Sequence, residues 1–306
     1  MNFFFHGASV TQQAGVSSYF EMLKERVNGA HDLSKKGYGG CHLDDAGFVN
    51  LHSDISSEID VCILEWNTTG LERFDHEKLR YMVGFLMEKN IAPIFLILAK
   101  FDNITNPRPC DLQVLDFCSE YNILCLDYRG KIDPAIHLRD GVHTNEIGAK
   151  VYADSLYLDL FCKIDFFESY APRAFDYKNF FIDSHRDLII DAPEGARVVI
   201  EFDSVSENPQ IILEVVVGPY SPLVDANSLQ RICFWDRWCH YERPSFKAIS
   251  LGVQVVNVVA KFNLNVLSDV IDYSDCAREF SFDGEKILKI RSVHGIGCSI
   301  RNISLN

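Results

Sequence analysis

Up to about residue 163, short apolar runs of strand length alternate with longer segments of helical period. That alternation leaves few folds open, because parallel strands must be joined by crossover helices. The spacing predicts strands over 2–6, 61–66, 93–99 and 123–127, with a weaker one over 32–36. The run Ile94-Phe95-Leu96-Ile97-Leu98 offers no polar face, which suits a strand covered by helices on both sides. Helices are expected over 18–28, where Phe20, Leu23 and Val27 share a face, over 75–90, where Leu79, Met82, Val83, Leu86 and Met87 do, and over 111–121 and 147–162. The first half therefore reads as a flavodoxin-like three-layer α/β/α sandwich around a parallel sheet.

Beyond Lys163 the texture changes. Aromatic and β-branched residues dominate, turns such as Gly218-Pro219 and Asp283-Gly284 recur, and long helical periods vanish. Strands are expected over 197–202, 211–217, 253–259 and 286–292, in an all-β sandwich of jelly-roll type. The expected domains are 1–168 and 169–306, with Tyr170-Ala171-Pro172-Arg173 as connector. The chain carries no internal repeat and no low-complexity tract.

A chain of 306 residues, 47% of them hydrophobic, can bury the cores of two such domains. Its formal charge of -14 repels a phosphate backbone and an anionic bilayer alike, and no Lys/Arg stripe offers a local exception, so neither nucleic acid nor membrane is expected as a partner. The opening Met1 to Gly7 has no basic start and too short an apolar stretch for a signal peptide, which makes the cytoplasm the expected compartment. Ten cysteines without a Cys-x-x-Cys pair or zinc spacing read as reduced, packed thiols. Neither a metal nor a cofactor is expected: His42, Asp44 and Asp45 lack the spacing of a metal site. Asn67, Asn103 and Asn302 open glycosylation sequons, a motif that matters only in a secretory pathway. The oligomeric state is left open.

Ser9 follows the apolar run Phe3-Phe4-Phe5, in Gly7-Ala8-Ser9-Val10-Thr11, at the point where a buried strand hands over to a helix. Open α/β sheets gather their chemistry at such carboxyl ends. Near the end of the same half stands Asp140-Gly141-Val142-His143. An Asp three residues before a His can turn back within one loop and accept from the ring Nδ1–H, leaving Nε2 to face a hydroxyl. Ser9 as nucleophile, His143 as base and Asp140 as orienting acid then form a serine-hydrolase constellation. His6, close to Ser9 in sequence, has no evident orienting acid and reads as structural; Cys41 reads as a packed thiol. Residues 235–243 concentrate aromatics and charges that suit either stacking on a sugar or internal packing, and are not assigned to the site.

Four blocks in this order resemble those of the SGNH hydrolases, the superfamily of the GDSL esterases. Gly7-Ala8-Ser9-Val10 matches Gly-Asp-Ser-Leu, Gly37-Tyr38-Gly39-Gly40 the glycine block, Glu65-Trp66-Asn67-Thr68 the Gly-x-Asn-Asp block, and Asp140 to His143 the Asp-x-x-His block. Ala8, Glu65 and Thr68 depart from the pattern, and the resemblance covers the first half alone. It implies that Ser9 attacks an ester carbonyl and that the Ser9 N–H, the Gly40 N–H and the Asn67 amide hold the oxyanion, with Gly39 as the rival of Gly40. The expected activity is a serine-dependent ester hydrolase that removes a small acyl group, acetyl, through an acyl-enzyme. The expected partner is a small-molecule or carbohydrate ester, an expectation that rests on the resemblance and the appended β domain. The alternatives are a sugar O-acetyltransferase of the same fold and a non-catalytic carbohydrate-binding protein.

Overall fold

Five strands follow one another through the first half of a computed structural model, which describes residues 1–70, 72–162, 170–227, 230–252, 257, 259–269, 271–279 and 281–306. They are β1 (Asn2–Gly7), β2 (Asp32–Gly37), β3 (Val61–Glu65), β4 (Ala92–Ile97) and β5 (Leu124–Asp127). All pair in parallel, in the order β2-β1-β3-β4-β5 expected of a flavodoxin-like sheet. Between them run α1 (Ser9–Gln12), α2 (Tyr19–Val27), α3 (Phe48–Asp54), α4 (His76–Glu88) and α5 (Pro109–Tyr121), and after β5 come α6 (Pro134–His137) and α7 (Glu146–Leu156).

Sequence chemistry sets the helix ends. Ser18 caps α2 by accepting from the Glu21 N–H, and Asp75 caps α4 by accepting from the N–H groups of Glu77 and Lys78. Asn28 and Asn122 close α2 and α5 in the left-handed conformation that asparagine tolerates. The expected helix over 147–162 instead leaves α-geometry after Leu156, and one π-turn, Tyr157–Phe161, completes it.

The three layers follow from the two faces of the strands. Phe3, Phe5, Val61, Ile63, Ile94 and Leu96 are buried with Phe20 and Leu23 of α2 and Tyr152 and Leu156 of α7. On the opposite face Phe4, Leu64 and Phe95 are buried, as are Met82 and Leu86 of α4 and Phe117 of α5, with the Phe95 and Phe117 rings 6.3 Å apart.

The chain divides into two compact units, Met1–Asn179 and Phe180–Asn306; residues 163–169, where the composition changes, lie outside the described residues. The stretch after them belongs to the first unit. Tyr170 donates its hydroxyl to the Pro93 carbonyl at 2.6 Å, the Arg173 N–H reaches the Tyr121 carbonyl at 2.7 Å, and the Phe175 ring lies 4.4 Å from that of Tyr121.

The second unit is all β, with two antiparallel sheets. One has the order β11-β10-β13-β8-β15, from β8 (Arg197–Ser204), β10 (Leu223–Ala226), β11 (Gln230–Cys233), β13 (Val259–Val266) and β15 (Cys298–Leu305). The other has the order β12-β9-β14-β6, from β6 (Ile182–His185), β9 (Gln210–Val217), β12 (Arg243–Ser250) and β14 (Ile287–Ile296), with β7 (Ile190–Pro193) also on β14. Val198, Ile200 and Phe262 of the first sheet share one buried core with Ile211, Leu213 and Ile290 of the second, which makes a sandwich. The strand expected over 253–259 falls largely outside the described residues, and the described strand there begins at Val259. Among the described residues no helix is long and apolar enough to cross a membrane.

Candidate active site

Sheet register brings three of the four sequence blocks to one level. Gly7 at the end of β1 pairs with Gly37 at the end of β2 and with Glu65 at the end of β3. Beyond the strand ends the Ala8 N–H still donates to the Glu65 carbonyl and the Tyr38 N–H to the Gly7 carbonyl, both at 2.9 Å. Ser9, Gly40 and Asn67 follow these junctions by two or three residues. The glycines permit the crowding: a Cβ on Gly7 would lie 2.4 Å from the Glu65 carbonyl oxygen, and one on Gly37 would lie 2.4 Å from the Gln12 nitrogen of α1.

Ser9 opens α1, half-buried, so its N–H has no intrahelical acceptor. Among the described residues its hydroxyl makes no hydrogen bond, and neither the Gly39 nor the Gly40 N–H donates to a protein acceptor. Gly40 stands at φ +72°, the left-handed region, and Gly39 does not.

The fourth block arrives on the loop between α6 and α7. Asp140 turns back on His143: its carboxylate lies 2.8 and 3.0 Å from Nδ1 and accepts the His143 N–H at 2.8 Å. Partial burial pushes the Asp140 carboxyl up, but the His143 N–H and ring outweigh it and hold it below the usual aspartate range. This loop is fastened to the segment that follows Ser9. Gln13 donates Nε2–H to the Thr144 carbonyl at 3.2 Å and accepts the Thr144 hydroxyl at 3.3 Å, and that hydroxyl also reaches the Ser17 carbonyl at 2.8 Å. From the loop after β4 the Phe101 N–H reaches the Gly141 carbonyl at 2.8 Å. The structure thus gathers the segments that carry Ser9 and His143, while no hydrogen bond joins the Ser9 hydroxyl to the His143 ring.

Asn67 lies deeper, 1% exposed. Its Nδ2 donates to Asp111 Oδ1 at 3.1 Å, and its Oδ1 has no partner among the described residues. Beneath it Glu65, which stands where the SGNH pattern has glycine, is fully buried. The hydroxyls of Thr11 and Thr68 donate to its two oxygens at 2.9 and 2.7 Å, and the Tyr19 hydroxyl lies 2.9 Å from that of Thr11. Burial pushes the Glu65 carboxyl up to about 7 against the pull of those hydroxyls.

No family model matches the chain, and no curated protein matches its sequence. Solved structures do. A two-domain esterase (CEX) active on acetylated mannans superposes with a TM-score of 0.61 at 15% identity, covering 98% of this chain and 92% of that one. The chain shares the fold of that protein. The same esterase co-crystallised with mannopentaose gives 0.59 at 15% identity, covering 99% and 91%.

Within this fold, several residues read from sequence prove to be supports. Cys41 is a buried thiol. His42 and Asp45 form a capping box around the turn Leu43–Gly47, and the Asp44 carboxylate accepts the Asp75 N–H at 3.0 and 3.1 Å. Among the described residues no group of His, Cys, Asp and Glu is placed to hold a metal ion. His6 does have an acid beside it, contrary to expectation: Asp54 Oδ2 lies 3.3 Å from Nε2. Asp54, at the end of α3, also accepts the Tyr38 hydroxyl at 2.5 Å, and His6 is walled by Tyr38 and Trp66, so the pair is a packed one. Sequence reading missed Asp111, Arg108 and Arg129. The available signal was the density of charge next to apolar strand ends, in Arg108-Pro109-Cys110-Asp111 and Asp127-Tyr128-Arg129.

Proposed function

We propose that the protein is a serine-dependent carboxylic ester hydrolase that releases acetyl from a carbohydrate through an acyl-enzyme on Ser9. The observation that carries this reading is the meeting of the ends of β1, β2 and β3 at one register level, next to a His143–Asp140 pair fastened to the segment after Ser9. The activity of the similar two-domain esterase on acetylated mannans supports the substrate class.

In this mechanism Ser9 Oγ attacks the acyl carbon while His143 Nε2 takes its proton. Asp140 holds the ring through Nδ1 and stabilises the imidazolium. Negative charge that develops on the carbonyl oxygen is met by the uncommitted N–H groups of Ser9 and Gly40 and by the second Nδ2 hydrogen of Asn67, each such donor worth about 3 kcal/mol in the transition state. Collapse returns the proton from His143 to the departing sugar oxygen. Water activated by the same base then attacks the acetyl-serine, giving acetate and free Ser9. The Ser9–His143 hydrogen bond forms as substrate enters, since catalytic hydrogen bonds commonly shorten in the Michaelis complex.

The test is hydrolysis of p-nitrophenyl acetate and acetate release from acetylated mannan by wild type and Ser9→Ala, with fluorophosphonate labelling alongside. Loss of both activities and of the label in Ser9→Ala is expected. A Ser9→Ala protein that hydrolyses at the wild-type rate overturns the proposal.

A further inference from the structure

Asn67 is gripped at both ends by one buried charge cluster. Asp111, in the first turn of α5 and fully buried, accepts the Asn67 Nδ2–H on Oδ1. Its Oδ2 accepts the Arg108 N–H at 3.0 Å, Arg108 Nε at 3.3 Å and Asn103 Nδ2 at 3.3 Å. Arg108, itself buried, donates from Nη2 to the backbone carbonyl of Asn67. The position after Asn67 in the chain is Thr68, whose hydroxyl is committed to Glu65, so the carboxylate on the amide comes from 44 residues away.

We propose that Asp111, braced by Arg108, is the positioning residue of the Asn67 amide, and that it fixes which end of that amide faces the oxyanion. This rests on the hydrolase reading above. An amide can present oxygen or nitrogen at nearly the same place, and an oxygen turned toward the oxyanion would repel it. A carboxylate is an acceptor only, so its contact selects the orientation with nitrogen toward Asp111 and leaves the second N–H free to donate.

A bare carboxylate beside a developing negative charge would itself oppose the reaction, and the cluster answers that as well. Arg129 Nη1 lies 3.9 Å from Asp111 Oδ2, and Arg129 forks onto Asp127, with Nε 2.8 Å from Oδ1 and Nη2 2.5 Å from Oδ2. Two guanidiniums thus face two carboxylates. Arg108 and Arg129 each bury an Nη1 with no hydrogen-bond acceptor among the described residues, and their two positive charges balance those of Asp111 and Asp127, so the carboxylate beside Asn67 is not left bare.

The experiment is a double-mutant cycle on the full chain, with kcat and KM for p-nitrophenyl acetate and a thermal melt for Asn67→Ala, Asp111→Asn and the double variant. Asn67→Ala is expected to lower kcat by about 10²- to 10³-fold. Asp111→Asn, whose amide no longer dictates the orientation of its neighbour, is expected to lower kcat by about tenfold or more at nearly constant KM, and to cost nothing further once Asn67 is alanine. An Asp111→Asn enzyme with wild-type kcat, or losses that multiply in the double variant, overturns the proposal. Should Asp111→Asn fail to fold, Arg108→Lys, which keeps a cation on Asp111 but loses the fork to the Asn67 carbonyl, takes its place in the cycle: a lower kcat that vanishes in the Asn67→Ala background supports the positioning role, and an unchanged kcat or a multiplicative loss overturns it. Ser9→Ala separates the two failures. If it is as active as wild type the hydrolase reading falls, and if it is inactive while the cycle is multiplicative only the positioning role falls.

Discussion

Replacing Glu65 by glutamine should stabilise the protein in a pH-dependent way. The Glu65 carboxylate is fully buried, its two oxygens accept one hydroxyl each, from Thr11 and Thr68, and no lysine or arginine pairs with it among the described residues. Burial moves the carboxyl from 4.5 to about 7, so the folded chain holds this proton more tightly than the unfolded chain does. The stability it contributes is therefore fully present below about 4.5 and is lost as pH rises through about 7. By pH 8 the wild type carries a cost of about 3 kcal/mol for holding a bare carboxylate in the interior. Glutamine carries no charge at any pH, accepts from Thr11 with its oxygen and donates to the Thr68 hydroxyl with its amide. Urea unfolding of both proteins from pH 5 to pH 8 should show the variant ahead by less than about 1 kcal/mol at pH 5 and by about 3 kcal/mol at pH 8. A gap that stays constant over this range, or one that grows in favour of the wild type, refutes the reasoning.

Two nearby glycines should respond differently to alanine. At Gly37 the new Cβ meets the backbone nitrogen and Cα of Gln12 at 2.4 and 2.5 Å, so α1 and Ser9 must shift, with an expected loss of about 1–3 kcal/mol and of most activity. At Gly39 it meets only the Gln12 side chain, whose amide can swing away, and thermal melts should show a loss below about 1 kcal/mol. Asp140→Asn should lower kcat by up to about 10⁴-fold, measured on p-nitrophenyl acetate, because the ring loses its orienting charge. Because the Asp140 carboxyl lies below the usual range, its contribution to stability is full above that range and is lost as pH falls from it toward the lower folded value, and the group, ionised in the folded chain above about pH 4, should put no break in the wild-type pH–rate profile there.

How far the sequence speaks can be judged element by element. β1, β3 and β4 were legible because they are buried on both faces and leave continuous apolar runs. β2 was faint for the opposite reason. It is an edge strand, paired among the described residues with β1 alone, and Asp-Leu-Ser-Lys-Lys-Gly buries just Leu33. α3 escaped notice because its buried residues, Phe48 to Leu51, are consecutive and show no helical period over seven residues. β13 carries a clear alternation, Phe262, Leu264 and Val266 buried against Lys261, Asn263 and Asn265, and it begins at the last residue of the apolar Val253-to-Val259 run on which the expected strand was placed.

The candidate site divides along a similar physical line. Asp140 and His143 were legible because three residues of chain suffice for the contact, and Ser9, Gly40 and Asn67 because each follows a strand end whose position the apolar pattern gives away. Asp111 was not legible, because an aspartate in the first turn of a helix satisfies backbone N–H groups whether or not it does anything else, and it does bond the Arg108 N–H here. Its second bond, to Asn67, exists only because parallel pairing sets the start of α5 beside the end of β3, and nothing local to either segment records it. The same holds for Asp54 beside His6. Catalytic groups leave local marks because chemistry restricts their residue types, whereas the groups that aim them are ordinary caps and ion pairs whose second partner is set by topology. In a parallel α/β sheet, the first turn of each helix that follows a strand is therefore the place to look for such partners, since every strand end opens onto the same edge.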